Sequence, residues 1–232
     1  MAEVAAIIPA HNEADTISQI VRDSRKFVDE VIVIDDCSSD ETAEIAKSAG
    51  ATVIKHVFNT GIGGALRTGY VYCLEQNFST VVQLDADGQH DPKFIPFLLD
   101  ALRLNNLDIV TGSRFLNKNH LSHSLVRRAG IQFFSKTVQF LTSKRVTDIT
   151  SGYRVYNIKA IRELEDIDEK NWAVDQTLRA IKLGLKYQEV PVEMPLRQNG
   201  RSQFDFTTFT WYPFRMFRVI LSIMLFRGKK AR

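Results

Sequence analysis

Short apolar runs alternate with segments of helical periodicity over the first half of the chain. The runs are rich in β-branched residues and cover residues 4–8, 31–34, 52–58, 81–84 and 109–111. Between them, apolar residues recur three and four positions apart, as Ile17, Ile20 and Val21 do, which is typical of a helix face. Strands without polar alternation, separated by helices, predict an α/β fold whose mostly parallel sheet is covered on both sides.

Three helices, the cap of one of them and a proline-containing strand add detail to this sheet. A helix is expected from about residue 65 to residue 75, and Ser39 or Asp40 should cap the helix after the second strand. The run 187–194 predicts a strand at a sheet edge, because Pro191 lacks the amide hydrogen that a central strand needs. The core face of a further helix is expected to consist of Phe94, Phe97, Leu98, Ala101 and Leu102.

The fourth strand leads directly into the residues Asp85-Ala86-Asp87-Gly88-Gln89-His90. Ligands of parallel sheets bind beyond the carboxyl ends of the strands. Two acids two positions apart, followed by glycine, can direct oxygens at one hard cation and leave positions for phosphates. We therefore expect Mg²⁺ or Mn²⁺ to be held by Asp85, Asp87 and Gln89, whereas Asp91, which precedes Pro92, is expected to be a helix cap.

Length and cysteine content favour a reduced, single-domain protein. The 232 residues suffice for a core of their own, and 44 % hydrophobic with 25 % charged residues is ordinary for a globular chain. Cys37 and Cys73 show neither metal-type nor redox spacing, so we expect them to be buried apolar residues. The N-terminus enters the first strand without a signal-like segment, which predicts a protein that is not exported.

The charge is unevenly distributed, although the net value is only +3. Residues 109–147 contain seven basic and no acidic residues, and residues 194–232 contain eight basic and one acidic residue. Such blocks predict an anionic partner, which at this point can be a phosphate ester, an anionic lipid or nucleic acid, or else a solvated basic face.

Six motifs occur in a fixed order and together resemble one enzyme family. They are residues 7–13 (IIPAHNE), 33–40 (VIDDCSSD), 59–64 (NTGIGG), 85–90 (DADGQH), 112–114 (GSR) and 150–153 (TSGY). The chain resembles the inverting family 2 glycosyltransferases with the GT-A fold over roughly residues 4–202. Within that family it is similar to the dolichyl-phosphate mannose synthase branch, whose members move a sugar onto a polyprenyl phosphate.

The resemblance implies a pocket for a nucleotide sugar. Carboxylates can accept hydrogen bonds from a ribose hydroxyl or a base N–H, a role that would fall to Asp35 and Asp36. The amides around Gly61 would receive the diphosphate at a helix start. Many relatives carry lysine where this chain has Ile62, so Arg67, one turn on, either replaces that charge or is a surface residue. The remaining lining residues would be Pro9, Ala10, Asn12, Glu13, Asp85 and Ala86.

The resemblance also implies a site for the acceptor phosphate. Arg114 and Arg128 would hold that phosphate, since a guanidinium fork matches its oxygens. Together with Asp87 they would form the catalytic set. Two positions depart from the family pattern, with Gln132 in place of a hydroxyl residue and Gln203 in place of a basic one. The acceptor site would be completed by Arg197, Arg201 and Ser151.

The C-terminal segment is expected to lie on a membrane. Its uninterrupted apolar run is far shorter than the roughly 20 residues that a spanning helix needs. Arg215, Arg218 and Ser222 form a polar stripe on an otherwise apolar helix, which is typical of interfacial helices on anionic lipid, although a packing helix or a dimer contact has the same pattern. We therefore predict a catalytic domain over residues 1–203 and an interfacial segment over 204–232, bound peripherally to the cytoplasmic face of the cell membrane.

Several alternatives remain open at this stage. A phosphate acceptor needs no general base, whereas a saccharide or lipid hydroxyl does, and Asp148, expected at a strand end, or Asp175, expected on a helix, would then serve. A non-catalytic nucleotide-sugar sensor is a second alternative. Nucleic acid is not expected to be a partner, because the phenylalanines between the basic residues have the spacing of a helix face. The sugar, its nucleotide, the isoprenoid and the oligomeric state cannot be derived from the sequence.

Overall fold

The structure is a computed structural model that describes residues 3–116, 125–166, 171–195, 217, 218 and 220–223, excepting the side chains of 125–129 and 131. The strands are β1 (Val4–Ala10), β2 (Glu30–Asp35), β3 (Thr52–Lys55), β4 (Thr80–Gln83), β5 (Ile109–Ser113), β6 (Arg154–Asn157) and β7 (Tyr187–Pro191). The helices are α1 (Ala14–Ser24), α2 (Thr42–Ser48), α3 (Gly61–Glu75), α4 (Ile95–Leu104), α5 (Leu125–Thr142), α6 (Ile158–Leu164) and α7 (Trp172–Lys182).

The strands form one seven-stranded sheet in the order β3-β2-β1-β4-β6-β5-β7. Every described pair is parallel except the two made by β6, which runs antiparallel to both β4 and β5. The α/β architecture predicted from the sequence is thus confirmed. Because β6 is reversed, it begins at the edge where β4 and β5 end, with Arg154 opposite both Gln83 and Thr111. The loop that precedes β6 therefore lies at the carboxyl edge of the parallel strands.

Helices cover both faces of this sheet, as the unbroken apolar strands predict. Alternate residues of β1 belong to different cores: Ala6 and Ile8 pack with α1, α2 and α4, and Ala5 and Ile7 pack with α3, α6 and α7. Each buried Ile or Leu contributes about 1.5–3 kcal/mol relative to an exposed one, so the two layers fix the positions of the strand ends.

A third cluster joins α5 and α7 to the described part of the C-terminal segment. Ile220 and Ile223 are buried there, and the Lys182 Nζ donates a hydrogen bond of 2.7 Å to the Ile223 carbonyl. No helix within the described ranges is both long and apolar enough to span a bilayer. The other members of the cluster are Phe134, Val138, Val146, Ile149, Val174 and Leu178.

Several local predictions need correction. β3 ends at Lys55 instead of residue 58, because Val57 is 88 % exposed and has no partner strand within the described residues. Phe97 is 46 % exposed and so does not belong to the core face of α4. Asp148 lies in the loop between α5 and β6 and not at a strand end. The edge position of β7 is confirmed, since it is the last strand of the sheet.

Candidate active site

The exit of β4 brings two carboxylates to the carboxyl edge of the sheet. Gly88 follows them with φ +78°, a left-handed conformation that glycine adopts without strain, and this turn returns the chain toward the 3₁₀ turn Pro92–Phe94. The Asp87 Oδ1 accepts a hydrogen bond of 3.0 Å from the Gln89 amide. The Ala86 carbonyl accepts one of 2.6 Å from the Thr16 hydroxyl of α1. Main-chain and side-chain bonds thus fix the loop that carries both acids.

His90 supports this loop from the interior. Its Nδ1 accepts the Asp85 amide hydrogen at 2.9 Å, and its ring stacks on Tyr153 with 5.0 Å between centroids. Burial lowers the pKa of His90 to about 4, so the ring is neutral at physiological pH. As predicted, Asp91 caps the turn that follows, since its carboxylate accepts from the Lys93 amide.

The oxygens at the β4 exit suit a hard divalent cation. The Gln89 Nε2 donates to the Pro195 carbonyl at 3.1 Å, which orients the side-chain amide. Among the described residues, no group of three or more His, Cys, Asp and Glu side chains is arranged to hold a metal ion. Two carboxylates and an amide oxygen match the common Mg²⁺ site, in which substrate phosphates and water supply the remaining ligands. The ligand types of Asp85, Asp87 and Gln89 suit Mg²⁺ or Mn²⁺, and their assignment as metal ligands stays a prediction.

The two acids at the end of β2 are more deeply buried than a simple pocket lining requires. The Asp36 carboxylate accepts from the Thr60 amide at 2.8 Å and lies 2.8 Å from the His56 Nδ1. Burial alone raises the pKa of Asp36, but these hydrogen bonds outweigh it and hold the pKa below its usual value. Asp35 is fully buried, and its Oδ2 lies 3.9 Å from the Lys55 Nζ. Asp36 thus fixes the start of α3, and ribose contact by either acid stays a prediction.

The loop after β1 is joined to the loop after β2. Asn12 has φ +56°, and its Oδ1 accepts from the Ser39 amide at 2.8 Å. The Glu13 amide donates to the Thr42 hydroxyl at 2.9 Å. Pro9 and Ala10 are buried and pair with Ile34 and Asp35 of β2. The structure therefore brings the predicted nucleotide residues of β1 and β2 together at one edge.

The motif at 59–64 lies where a diphosphate cradle is expected. Gly61 is the first residue of α3, and its amide donates to the Asn59 side chain at 3.0 Å. The following turn is the N-terminus of a 15-residue helix, a position that favours anions. Arg67 is exposed on the same helix, so both of its predicted roles remain open.

Arg114 forms the most strongly bonded ion pair of the site. Its Nε and Nη2 donate to the two carboxylate oxygens of Asp148 at 2.6 and 2.8 Å, and Nη2 also donates to the Thr150 hydroxyl at 2.9 Å. Burial alone raises the pKa of Asp148, but the Arg114 charge and hydrogen bonds outweigh it and lower the pKa below its usual range. Asp148 is therefore a fully buried anion that orients Arg114, a pairing that the sequence did not reveal.

Further residues that the sequence did not single out hold the Asp148 loop. The Glu189 carboxylate of β7 accepts from the amides of Thr147 and Asp148 at 2.7 and 2.9 Å. Ser151, a predicted phosphate ligand, is buried. Its hydroxyl donates its hydrogen to the Gly112 carbonyl within the protein. The available signal for Glu189 was its acidic side chain within the predicted edge strand.

The remaining predicted acceptor residues lie outside the described residues. α5 contains Arg128 in its first turn, but its side chain is not described, and Arg197 and Arg201 belong to the undescribed range 196–216. Asp175, the alternative base, is buried on α7 with the Arg179 Nη1 at 3.5 Å. The described cationic part of the site is therefore Arg114 with its partners.

The comparison with known proteins agrees with this geometry. The model of the family "Glycosyl transferase family 2" matches residues 5–165. The chain is 32 % identical to an undecaprenyl-phosphate mannosyltransferase of Micrococcus luteus, covering 87 % of each chain. It is 30 % identical to a polyprenol monophosphomannose synthase of Mycolicibacterium smegmatis, covering 86 % of this chain and 80 % of the relative.

A solved structure supports the fold independently. Glucosyl-3-phosphoglycerate synthase from Mycobacterium tuberculosis, in complex with phosphoglyceric acid, has a TM-score of 0.74 at 20 % identity. The match covers 95 % of this chain and 79 % of that one, which confirms the predicted GT-A fold. Since the family model matches well over half of its length, the chain belongs to glycosyl transferase family 2 and is a glycosyltransferase.

Proposed function

We propose that the protein transfers a sugar from a nucleotide-diphosphate sugar to polyprenyl or dolichyl phosphate, with inversion at the anomeric carbon. One observation carries this proposal: the loop 148–152 contacts the acidic exit of β4 and Arg114 at the same time. An ideal Cβ at Gly152 would lie 3.3 Å from the Asp85 Oδ2, and the Thr150 hydroxyl accepts from Arg114. A diphosphate and a second phosphate can therefore be held side by side. The undecaprenyl-phosphate mannosyltransferase and the polyprenol monophosphomannose synthase named above support a lipid-phosphate acceptor.

The leaving nucleoside diphosphate is held at the β4 exit. Asp85, Asp87 and Gln89 would hold Mg²⁺ or Mn²⁺, which when bound supplies Lewis-acid stabilisation to the leaving nucleoside diphosphate. The amides at the start of α3 add a positive helix end for the same diphosphate. A complex of glucosyl-3-phosphoglycerate synthase with Mn²⁺ and UDP supports a divalent metal for this fold.

The acceptor phosphate must be oriented for its attack on the sugar, but it needs no general base. A phosphate monoester has a second pKa near about 6 and is already anionic at neutral pH. One of its oxygens attacks the anomeric carbon, the bond from that carbon to the diphosphate oxygen breaks, and the electron pair leaves with the diphosphate. Arg114, oriented by Asp148, offsets the repulsion between the two anions and positions the nucleophile. Arg128, Arg197 and Arg201 are proposed to bind the same phosphate.

The lipid acceptor places the protein at a membrane surface. Exposed apolar side chains of α5 and the C-terminal segment stand beside exposed basic ones, a combination that favours anionic lipid. We propose peripheral association with the cytoplasmic face of the membrane through this surface, which we call the α5 surface. It consists of Phe133, Lys136, Phe140, Leu141, Lys144, Arg145, Phe217, Arg218 and Leu221.

The proposal is tested by offering the full chain polyprenyl phosphate and a panel of labelled donors with Mg²⁺ or Mn²⁺. The donors are GDP-mannose, UDP-glucose and UDP-N-acetylglucosamine, and the control acceptor is the free polyprenol. We expect one donor to give a lipid-phosphate-linked sugar whose anomeric configuration, read by NMR, is opposite to that of the donor. Transfer to polyprenol or to a saccharide, and not to the phosphate, would contradict the proposal.

The competing hydroxyl-acceptor reaction makes a different prediction for pH. It needs Asp148 or Asp175 as a base, yet both are buried beside arginines. A base mechanism predicts an acid limb in kcat that disappears on replacement of that aspartate. Transfer to a phosphate predicts no such loss.

A further inference from the structure

A fully buried arginine lies next to the proposed site. Arg154, the first residue of β6, has 0 % exposure, and its Nε donates to the Ser151 carbonyl at 2.9 Å. Its Nη2 donates to the Ala173 carbonyl at 2.9 Å and to the Thr177 hydroxyl at 3.0 Å, both in α7. One guanidinium group thus joins the loop before β6 to the first turns of α7.

The neighbouring strand holds the same loop at the next residue. Gln83 of β4 is the direct cross-strand partner of Arg154, and its Nε2 donates to the Gly152 carbonyl at 3.0 Å. The Tyr70 hydroxyl donates in turn to the Gln83 Oε1, which fixes the orientation of that amide. Two consecutive carbonyls, those of Ser151 and Gly152, are therefore held from two adjacent strands.

The segment Ser151–Gly152 lies between the metal side of the site, at Asp85, and the phosphate side, at Arg114. A Cβ on Gly152 would lie 3.2 Å from the His90 ring, 3.3 Å from the Asp85 carboxylate and 3.3 Å from Trp172. One residue earlier in the chain, Thr150 accepts from Arg114. A displacement of the segment would therefore move the metal-side and phosphate-side groups relative to each other.

The fold alone does not account for a charge at this position. Within the described residues Arg154 forms no ion pair, and its Nη1 has no hydrogen-bond partner. Arg154 also contacts the face of Trp172, 5.4 Å from Cζ to the ring centroid. Burying a charge is costly, and apolar replacements of buried charges are often neutral or stabilising. What an apolar side chain cannot supply is the set of directed bonds to Ser151 and α7.

We propose that Arg154 is a positioning residue for sugar transfer. It holds the Ser151–Gly152 segment so that Asp85 and Arg114 keep their relative placement. The inference rests on the proposed function for its kinetic readout, but its binding readout is independent of the acceptor.

The kinetic test compares Arg154→Met and Arg154→Lys with a destabilising control. Asn157→Ala lies in the same strand at the opposite edge, where it removes the cap of α6 and a bond of 2.7 Å to Asp108. We expect Arg154→Met to lower kcat about 10²-fold, the effect of roughly 1 Å of misplacement, with a smaller change in donor KM. Arg154→Lys should restore part of kcat, because an ammonium reaches one of the acceptors without the fork. Asn157→Ala should keep the wild-type kcat.

The binding test uses Trp172 as a reporter in the full chain. The protein has two tryptophans, so Trp211→Phe leaves Trp172, which contacts both Arg154 and the Gly152 position, as the sole reporter. Emission is followed while Mn²⁺ and then GDP or UDP are added. We expect Arg154→Met to weaken Mn²⁺ binding about 10-fold, a typical loss when an outer-shell partner of a metal ligand is removed.

The two tests separate the possible failures. If the wild type transfers no sugar to polyprenyl phosphate, the proposed function fails, and the Mn²⁺ titration alone decides the role of Arg154. Wild-type kcat and wild-type Mn²⁺ affinity in folded Arg154→Met would overturn the inference. If that variant does not fold, Thr177→Val replaces it, because it removes one of the two bonds from Arg154 to α7 and keeps the one to the Ala173 carbonyl. An unchanged kcat and affinity there would overturn the inference equally.

Discussion

At the scale of single residues, the acids after β4 have the most direct consequence. We expect Asp87→Asn to reduce transfer about 10³-fold or more, since Lewis-acid stabilisation of a leaving group contributes several kcal/mol. Asp91→Asn is the matched control: it lies in the same loop, and asparagine can cap the turn before Lys93 as aspartate does. Single-turnover rates at saturating Mn²⁺ measure both. Near-normal turnover of Asp87→Asn would remove Asp87 from the metal site.

The Arg114–Asp148 pair has a consequence for stability as a function of pH. Because the pKa of Asp148 is lowered in the folded state, the pair stabilises the protein above the unfolded pKa of about 4. That stabilisation is lost as the pH falls through the lower folded-state pKa. Asp148→Asn should reduce the free energy of unfolding by about 3 kcal/mol at neutral pH, the effect of breaking a buried pair, and by less in acid. Urea unfolding at several pH values measures this, and a difference that grows in acid would contradict it.

The same variant separates orientation from base catalysis. If Asp148 orients Arg114, Asp148→Asn lowers kcat and leaves the shape of the pH–rate profile unchanged.

The sequence could place Arg114 and Asp148 near the site, but it could not pair them. They are 34 positions apart, in two separate loops. For the same reason the sequence predicted only a nucleotide contact for Asp36, whereas the folded chain brings Thr60 and His56 to its carboxylate.

At the scale of elements, the segment before β6 leaves no room for a side chain. The Cβ in Gly152→Ala would approach the Asp85 carboxylate at 3.3 Å and the His90 ring at 3.2 Å, so those groups must shift by tenths of an ångström. We expect about a 10-fold weaker affinity for Mn²⁺, as for other changes beside metal ligands. Gly130→Ala in α5 is the control, because a Cβ there meets nothing within 4 Å and alanine favours helix by about 1 kcal/mol. Calorimetric Mn²⁺ titration compares the two, and equal affinities would contradict the prediction.

The strands that the sequence located best are buried along their length. β1, β2 and β4 contain apolar runs, such as Val31–Ile34 in β2, and these runs suffice to locate them. β6 was not predicted: its four residues begin with Arg154 and end with Asn157, and only Val155 and Tyr156 between them are apolar. Its antiparallel position between β4 and β5 follows from tertiary pairing that no local pattern encodes. Val57 and Phe58 had the opposite effect: they are apolar and extended the predicted third strand to residue 58, but both are exposed and lie outside β3.

At the scale of the whole molecule, the α5 surface predicts membrane binding. Phe133 and Phe140 are seven residues apart on one side of α5, and both are largely exposed. The double change to serine should weaken binding to anionic vesicles at least about tenfold, given about 1.5–3 kcal/mol per buried phenylalanine. Leu104, at the end of α4, is 83 % exposed, and Leu104→Ser is the control. Vesicle co-sedimentation measures the effect, and equal binding by all three proteins would contradict it.

The reversed strand β6 also determines when the site can form during synthesis. β4 and β5 do not pair with each other, so a nascent chain that ends after Ser113 has both strands but not the strand that pairs with each of them. The nucleotide half can therefore condense early, from contacts of short sequence separation, while the catalytic centre must wait for residues 150–157. We expect pulse-labelled hydrogen exchange during refolding to protect β1 and β2 before β4 acquires its β6 partner. Simultaneous protection of all these strands would contradict it. On this account a ribosome-bound or truncated chain would bind nucleotide before it is able to catalyse anything.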